Sequence, residues 1–71
     1  MKSHFLLCID DGGFPEALEK RKFYAVLDDS DAASVGMVRV VDESGGDFLY
    51  PNACFANVDL PQQVERELEA P

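Results

Sequence analysis

Five short runs of strand-forming residues, each closed by a turn signal, divide the first 58 residues. Runs this short suit β-strands and are too brief for core helices. Phe5-Leu6-Leu7-Cys8-Ile9 stops at Asp10-Asp11-Gly12-Gly13. Glycines there tolerate positive φ, and aspartates bond their own backbone. Phe14-Pro15-Glu16-Ala17-Leu18 follows. Pro15 can start one helical turn, but the stretch is too short for a helix, so it reads as part of a long structured loop. Phe23-Tyr24-Ala25-Val26-Leu27 is the second strand. It is apolar at nearly every position, so alternation does not decide its faces. Tyr24 and Val26 are expected inward, which leaves Phe23, Ala25 and Leu27 as a second apolar surface needing cover.

Residues 28–34 form an acidic connection with room for one helical turn, ended by Gly36. In the third strand, residues 37–42, Val38 and Val40 share one face and Arg39 and Val41 the other. Glu43-Ser44-Gly45-Gly46-Asp47 makes a turn and Phe48-Leu49-Tyr50 resumes in strand, a hairpin signal. Pro51 donates no ladder hydrogen bond and ends the fourth strand. Asn52-Ala53-Cys54 fits a 3₁₀ turn, and residues 55–58 a last strand. The expected core is Phe5, Leu7, Ile9, Val26, Val38, Val40, Leu49, Tyr50 and Phe55.

The period then changes. Asp59 can cap a helix over residues 60–70, with Pro61 early and Gln62 three residues on, as in a capping box. Leu60, Val64 and Leu68 recur every four residues and make one narrow apolar stripe. Late Glu67 and Glu69 oppose the negative end of the helix dipole, so this helix should be stable only while docked. Docking onto its own sheet is favoured over a dimer, because like-charged chains repel.

The order of these parts resembles a Src homology 3-like small β-barrel. Residues 45–55, a glycine-marked turn, an apolar strand, Pro51, a 3₁₀ turn and Phe55, carry the likeness, and Lys22-Phe23-Tyr24-Ala25-Val26 is similar to the family's second strand. The resemblance implies a mainly β, five-stranded barrel over residues 3–58 with a short C-terminal α-helix. The chain also resembles a group of small, uncharacterised bacterial proteins with an Asp42-Glu43-Ser44-Gly45 turn before Phe48-Leu49-Tyr50-Pro51. Peptide-binding members of the barrel family grip proline-rich ligands in an aromatic groove. Here there is no Trp, Cys54 stands three residues after Pro51, and Ile9-Asp10-Asp11 replaces the tyrosines of the long loop. The expectation is the fold without the polyproline function.

Charge narrows the function classes. Six Lys and Arg face 14 Asp and Glu, a net charge of −8, while 46% of the 71 residues are hydrophobic. That is too apolar for a disordered acidic tail, and the length allows one domain over residues 1–71. An acid excess repels phosphates, so direct nucleic-acid binding is not expected. The basic run Lys20-Arg21-Lys22 reads as a solvated strand start. No apolar run approaches the roughly 18 residues that span a bilayer, and no signal-peptide pattern precedes the first strand. A cytoplasmic protein is expected.

Catalytic chemistry finds no constellation. Asp10-Asp11 suits a turn better than an acid pair. Asp28, Asp29 and Asp31 lack a calcium-loop pattern, and neither Gly-Gly pair has the lysine of a phosphate loop. Cys8 and Cys54 read as buried reduced thiols. A metal site from His4, Cys8 and Cys54 would need a fourth ligand. The chain is therefore expected to be a non-enzyme without cofactor. Its expected role is an acidic binding module for a protein partner with a basic or apolar surface, presented to Phe23, Leu27, Leu60, Val64 and Leu68. An acidic nucleic-acid mimic, or a metal or thiol sensor using Cys8 and Cys54, are the alternatives. A monomer is favoured, with a dimer as the other arrangement.

Overall fold

A computed structural model describes residues 3–69. All five runs become strands: β1 (Ser3–Cys8), β2 (Phe23–Leu27), β3 (Met37–Val41), β4 (Asp47–Pro51) and β5 (Phe55–Ala56). They form one antiparallel sheet in the order β4-β3-β2-β1-β5. Helix α1 (Ser30–Ser34) joins β2 to β3, a 3₁₀ turn (Asn52–Cys54) precedes β5, and helix α2 (Gln62–Glu69) closes the described chain. The fold is mainly β. The sheet is open: among the described residues no ladder joins β4 to β5.

Residues directly opposite on antiparallel strands share a face. Leu6 lies opposite Tyr24, Cys8 opposite Phe55, Val26 opposite Val40 and Val38 opposite Tyr50. These side chains, with Leu18 and Cys54, define the inner face and its core, Val38 at the margin. Tyr24, Val26, Val40, Tyr50 and Phe55 are buried as expected. Phe5, Leu7, Ile9 and Leu49 are not core. Phe5 and Leu7 are half-buried on the other face, opposite Ala25 and Phe23. Ile9 lies beyond the end of β1, and Leu49 is exposed opposite Arg39. A run of five apolar residues has no period of its own, so the partner strands set its parity, and a one-residue shift exchanges the faces.

The long loop contributes what the strands lack. Phe14 C=O accepts hydrogen bonds from the backbone of Ala17 and Leu18, closing one helical turn. That turn drops Leu18, 1% exposed, into the core. Glycine and aspartate do the expected turn work: Asp10 accepts from Gly12 N and Asp11 from Gly13 N. α1 is the single helical turn expected before Gly36, and Gly36 has φ +74°. β5 ends at Ala56 rather than Val58, and its pairing with β1 is limited to Phe55 with Cys8 and Ala56 with Leu7.

α2 starts later than the capping-box reading implies. The Pro61 carbonyl, two residues past Asp59, accepts from Val64 N and Glu65 N. No α2 side chain is buried. Leu60 is half-buried, and Val64 and Leu68 are 37% and 38% exposed. The expected burial of this stripe is therefore not realised. No helix among the described residues is long and apolar enough to cross a membrane.

Candidate interaction surface

The outer sheet face is built by the side chains that β1 and β2 do not turn inward. Leu7 stands opposite Phe23, and Phe5 opposite Ala25. Farther along, Leu27, Arg39 and Leu49 form a row across β2, β3 and β4. Phe5, Leu7, Phe23, Ala25 and Leu27 are all half-buried, neither sealed nor fully solvated. An antiparallel sheet with one solvated face ordinarily puts polar residues there. Here β1 and β2 put aliphatic and aromatic ones.

Arg39 fixes the polar border of this face. Its Nε donates to Asp29 at 2.8 Å and its Nη1 to Asp47 at 3.2 Å. Asp29 also caps α1, accepting from Ala32 N at 3.0 Å. The Ala32 amide first, and then Arg39, hold the Asp29 carboxyl below its ordinary range.

The five residues expected to meet a partner are distributed over β2, α2 and the segment that leads into α2. Phe23 and Leu27 share the outer face of β2, where Phe5 and Leu7 extend them. Leu60 precedes α2, and Val64 and Leu68 sit on it. Sequence reasoning missed Phe5 and Leu7 as surface. The only available signal was their pairing with a strand that already had too many apolar residues for one face.

A concavity lies where β1 starts, β2 ends and β3 begins. It has a volume of about 440 Å³, and its lining includes Leu6, Val26, Val38, Phe55, Asp28 and Asn57, with Leu27 and Arg39 shared with the outer face. His4 Nδ1 stands 4.0 Å from Asp28 Oδ1 at its edge. The cleft gathers residues from positions 4 to 57, which no local motif could announce.

The remaining acids near the core serve the fold. Tyr24 Oη donates to Glu43 and accepts from Glu19 N at 2.8 Å, while Lys22 Nζ also donates to Glu43. Tyr50 Oη donates to Asp42 at 2.6 Å, and Asp42 also accepts from the Ser44 hydroxyl and amide. The Lys22 and Tyr24 hydrogen bonds lower the Glu43 carboxyl, and those of Ser44 and Tyr50 lower Asp42. Burial, then the Asp42 hydrogen bond, pushes the Tyr50 phenol up to about 12.

Cys8 and Cys54 are free and buried in one cluster. Burial pushes both thiols up, away from the thiolate form that reacts. The structure does not gather His4 with them: among the described residues no three His, Cys, Asp or Glu side chains converge on a metal-sized site. No protein-family model, curated protein or solved structure matches this chain.

Proposed function

We propose that the chain is a small cytoplasmic, non-catalytic binding module that takes a protein partner on the outer face of its sheet. One observation carries this reading: the apolar, half-buried face made by Phe5, Leu7, Phe23, Ala25 and Leu27. A continuous apolar surface on a small domain marks an interaction site more often than an isolated exposed leucine does. The partly exposed stripe of Leu60, Val64 and Leu68 offers a second apolar contact. The net charge of −8 selects the partner's sign. Opposite charge speeds encounter and makes binding fall with salt.

The finer architecture we assign is a Src homology 3-like barrel in its connectivity. The long β1–β2 loop, the β3–β4 hairpin and the 3₁₀ turn before β5 support it. The aromatic groove of the peptide-binding members is not part of this assignment.

Affinity capture from the native cytoplasm with the full chain and with Phe23→Ser and Leu27→Ser tests the reading. Circular dichroism and melting first establish that both variants fold. A genuine partner is retained by the parent chain, lost by the variants, and released between about 0.05 and 0.5 M salt as screening sets in. Proteins held equally by all three chains and at both salt levels would overturn the proposal.

A further inference from the structure

The cleft at the start of β1 has a preformed apolar floor. Leu6, Val26 and Phe55 are buried core residues that also line it. A floor tied to the core needs no rearrangement to receive a ligand, which keeps the ordering cost low. Its rim is unequal in charge. Asp29 is engaged by Ala32 N and Arg39, and Arg39 is neutralised by Asp29 and Asp47. Asp28 remains: its side chain is 64% exposed, with His4 Nδ1 as its 4.0 Å neighbour. Asn52 and Asn57 add carboxamides to the lining, and these can donate to and accept from a peptide backbone.

We propose that this cleft binds a short protein segment carrying a lysine or arginine beside an aliphatic residue. The aliphatic group packs on the half-buried Leu27, Met37 and Val38 above the buried floor, and the cation meets the Asp28 carboxylate. The volume, about 440 Å³, falls within the range of ligand sites and exceeds a single side chain, so it suits a few residues of peptide. Phosphate-bearing ligands would face Asp28 across the same rim and are disfavoured. The inference rests on the protein-binding reading, but of the outer-face residues only Leu27 and Arg39 also line the cleft, while Phe5, Leu7 and Phe23 do not, so the two can fail separately.

Titrating the isotope-labelled full chain with acetyl-Leu-Lys-Leu-amide at low salt, followed by amide chemical shifts, tests it. The acetyl-Leu-Glu-Leu-amide peptide is the control. Saturable shifts are expected at Leu6, Val26, Val38 and Asn57, with the glutamate peptide much weaker. Asp28→Asn, at an exposed position, should leave the melting temperature unchanged and weaken the lysine peptide about fivefold, the worth of one exposed charge pair. Equal binding of both peptides, an unchanged Asp28→Asn variant or no saturable shifts would overturn the cleft assignment. Shifts confined to Phe5, Leu7 and Phe23, none of which lines the cleft, would overturn it too, while leaving the outer-face reading intact.

Discussion

Asp42 is only 7% exposed, yet three hydrogen bonds from Ser44 and Tyr50 make its carboxylate the favoured form. A buried acid with full partners is tolerated, and one whose partners are removed is not. Asp42→Ala leaves the Tyr50 hydroxyl buried without its acceptor. It should cost about 1–3 kcal/mol, and each kcal/mol lowers the melting temperature of a domain this size by roughly 4–8 °C. Thermal melting of Asp42→Ala beside Tyr50→Phe checks this, and equal stability of Asp42→Ala and the parent would refute it. Cys8 and Cys54 make the opposite use of burial. Their raised thiols should resist iodoacetamide in the native chain and react promptly in denaturant, as mass spectrometry would show. Rapid native labelling of Cys54 would mean that the 3₁₀ turn opens. Gly12 guards the same place, since its φ is +62° and a Cβ there would lie 2.9 Å from Cys54 Sγ. The two aspartates and two glycines of that turn were legible in the sequence because their chemistry is local. Asp42 was not, because its burial depends on Tyr50, eight residues away.

The same division between local and distant causes holds for the elements. Gly45 with φ +84°, Pro51 and the single turn of α1 sit where the sequence puts them, since each is decided within a few residues. The parity of β1 is decided by Tyr24 and Phe55, which lie 18 and 47 residues from their partners Leu6 and Cys8. Leu18 is among the most buried side chains, yet its loop has no period to mark it as core. Paired substitutions read this register directly. Leu6→Ala should cost about 2–5 kcal/mol, as for a buried leucine, and Leu7→Ala about half as much or less. The reverse order in denaturant melts would return Phe5 and Leu7 to the core. Val40→Asp should prevent folding, because Val40 is fully buried and offers a charge no partner. In α2 no side chain is buried and the stripe is only partly covered, so truncation after Asp59 should cost no more than about 1 kcal/mol, or roughly 4–8 °C. A larger loss would show that the stripe of Leu60, Val64 and Leu68 holds the sheet after all.

At the scale of the whole chain, charge sets the conditions under which these contacts persist. Asp29, Asp42 and Glu43 have lowered carboxyls, so the folded state binds fewer protons than the unfolded one in acid. Their contribution is complete above the unfolded values of about 4 and is lost as pH falls through the lower folded values. Tyr50 works from the other side. Its phenol is raised, so its contribution is complete below the unfolded value of about 10 and fades as pH climbs through about 12. Between these limits the net charge of −8 repels itself within 71 residues. Salt screens that repulsion and also weakens the ion pairs of Lys22 with Glu43 and of Arg39 with Asp47, and less so the half-buried pair of Arg39 with Asp29. Exposed pairs are worth about 0–1 kcal/mol each. Eight uncompensated charges on one small domain outweigh three such pairs, so added salt should raise the melting temperature at pH 7. Near the isoelectric point of about 4.2 the repulsion vanishes and only the ion pairs are left to screen. Salt should then leave the melting temperature flat or lower it. Melting curves at two salt concentrations and both pH values decide the matter. A fall with salt at pH 7 would mean that the ion pairs, rather than the acid excess, govern stability. The same salt that steadies the free chain should release its basic partner, so stability and binding are expected to move in opposite directions in one titration.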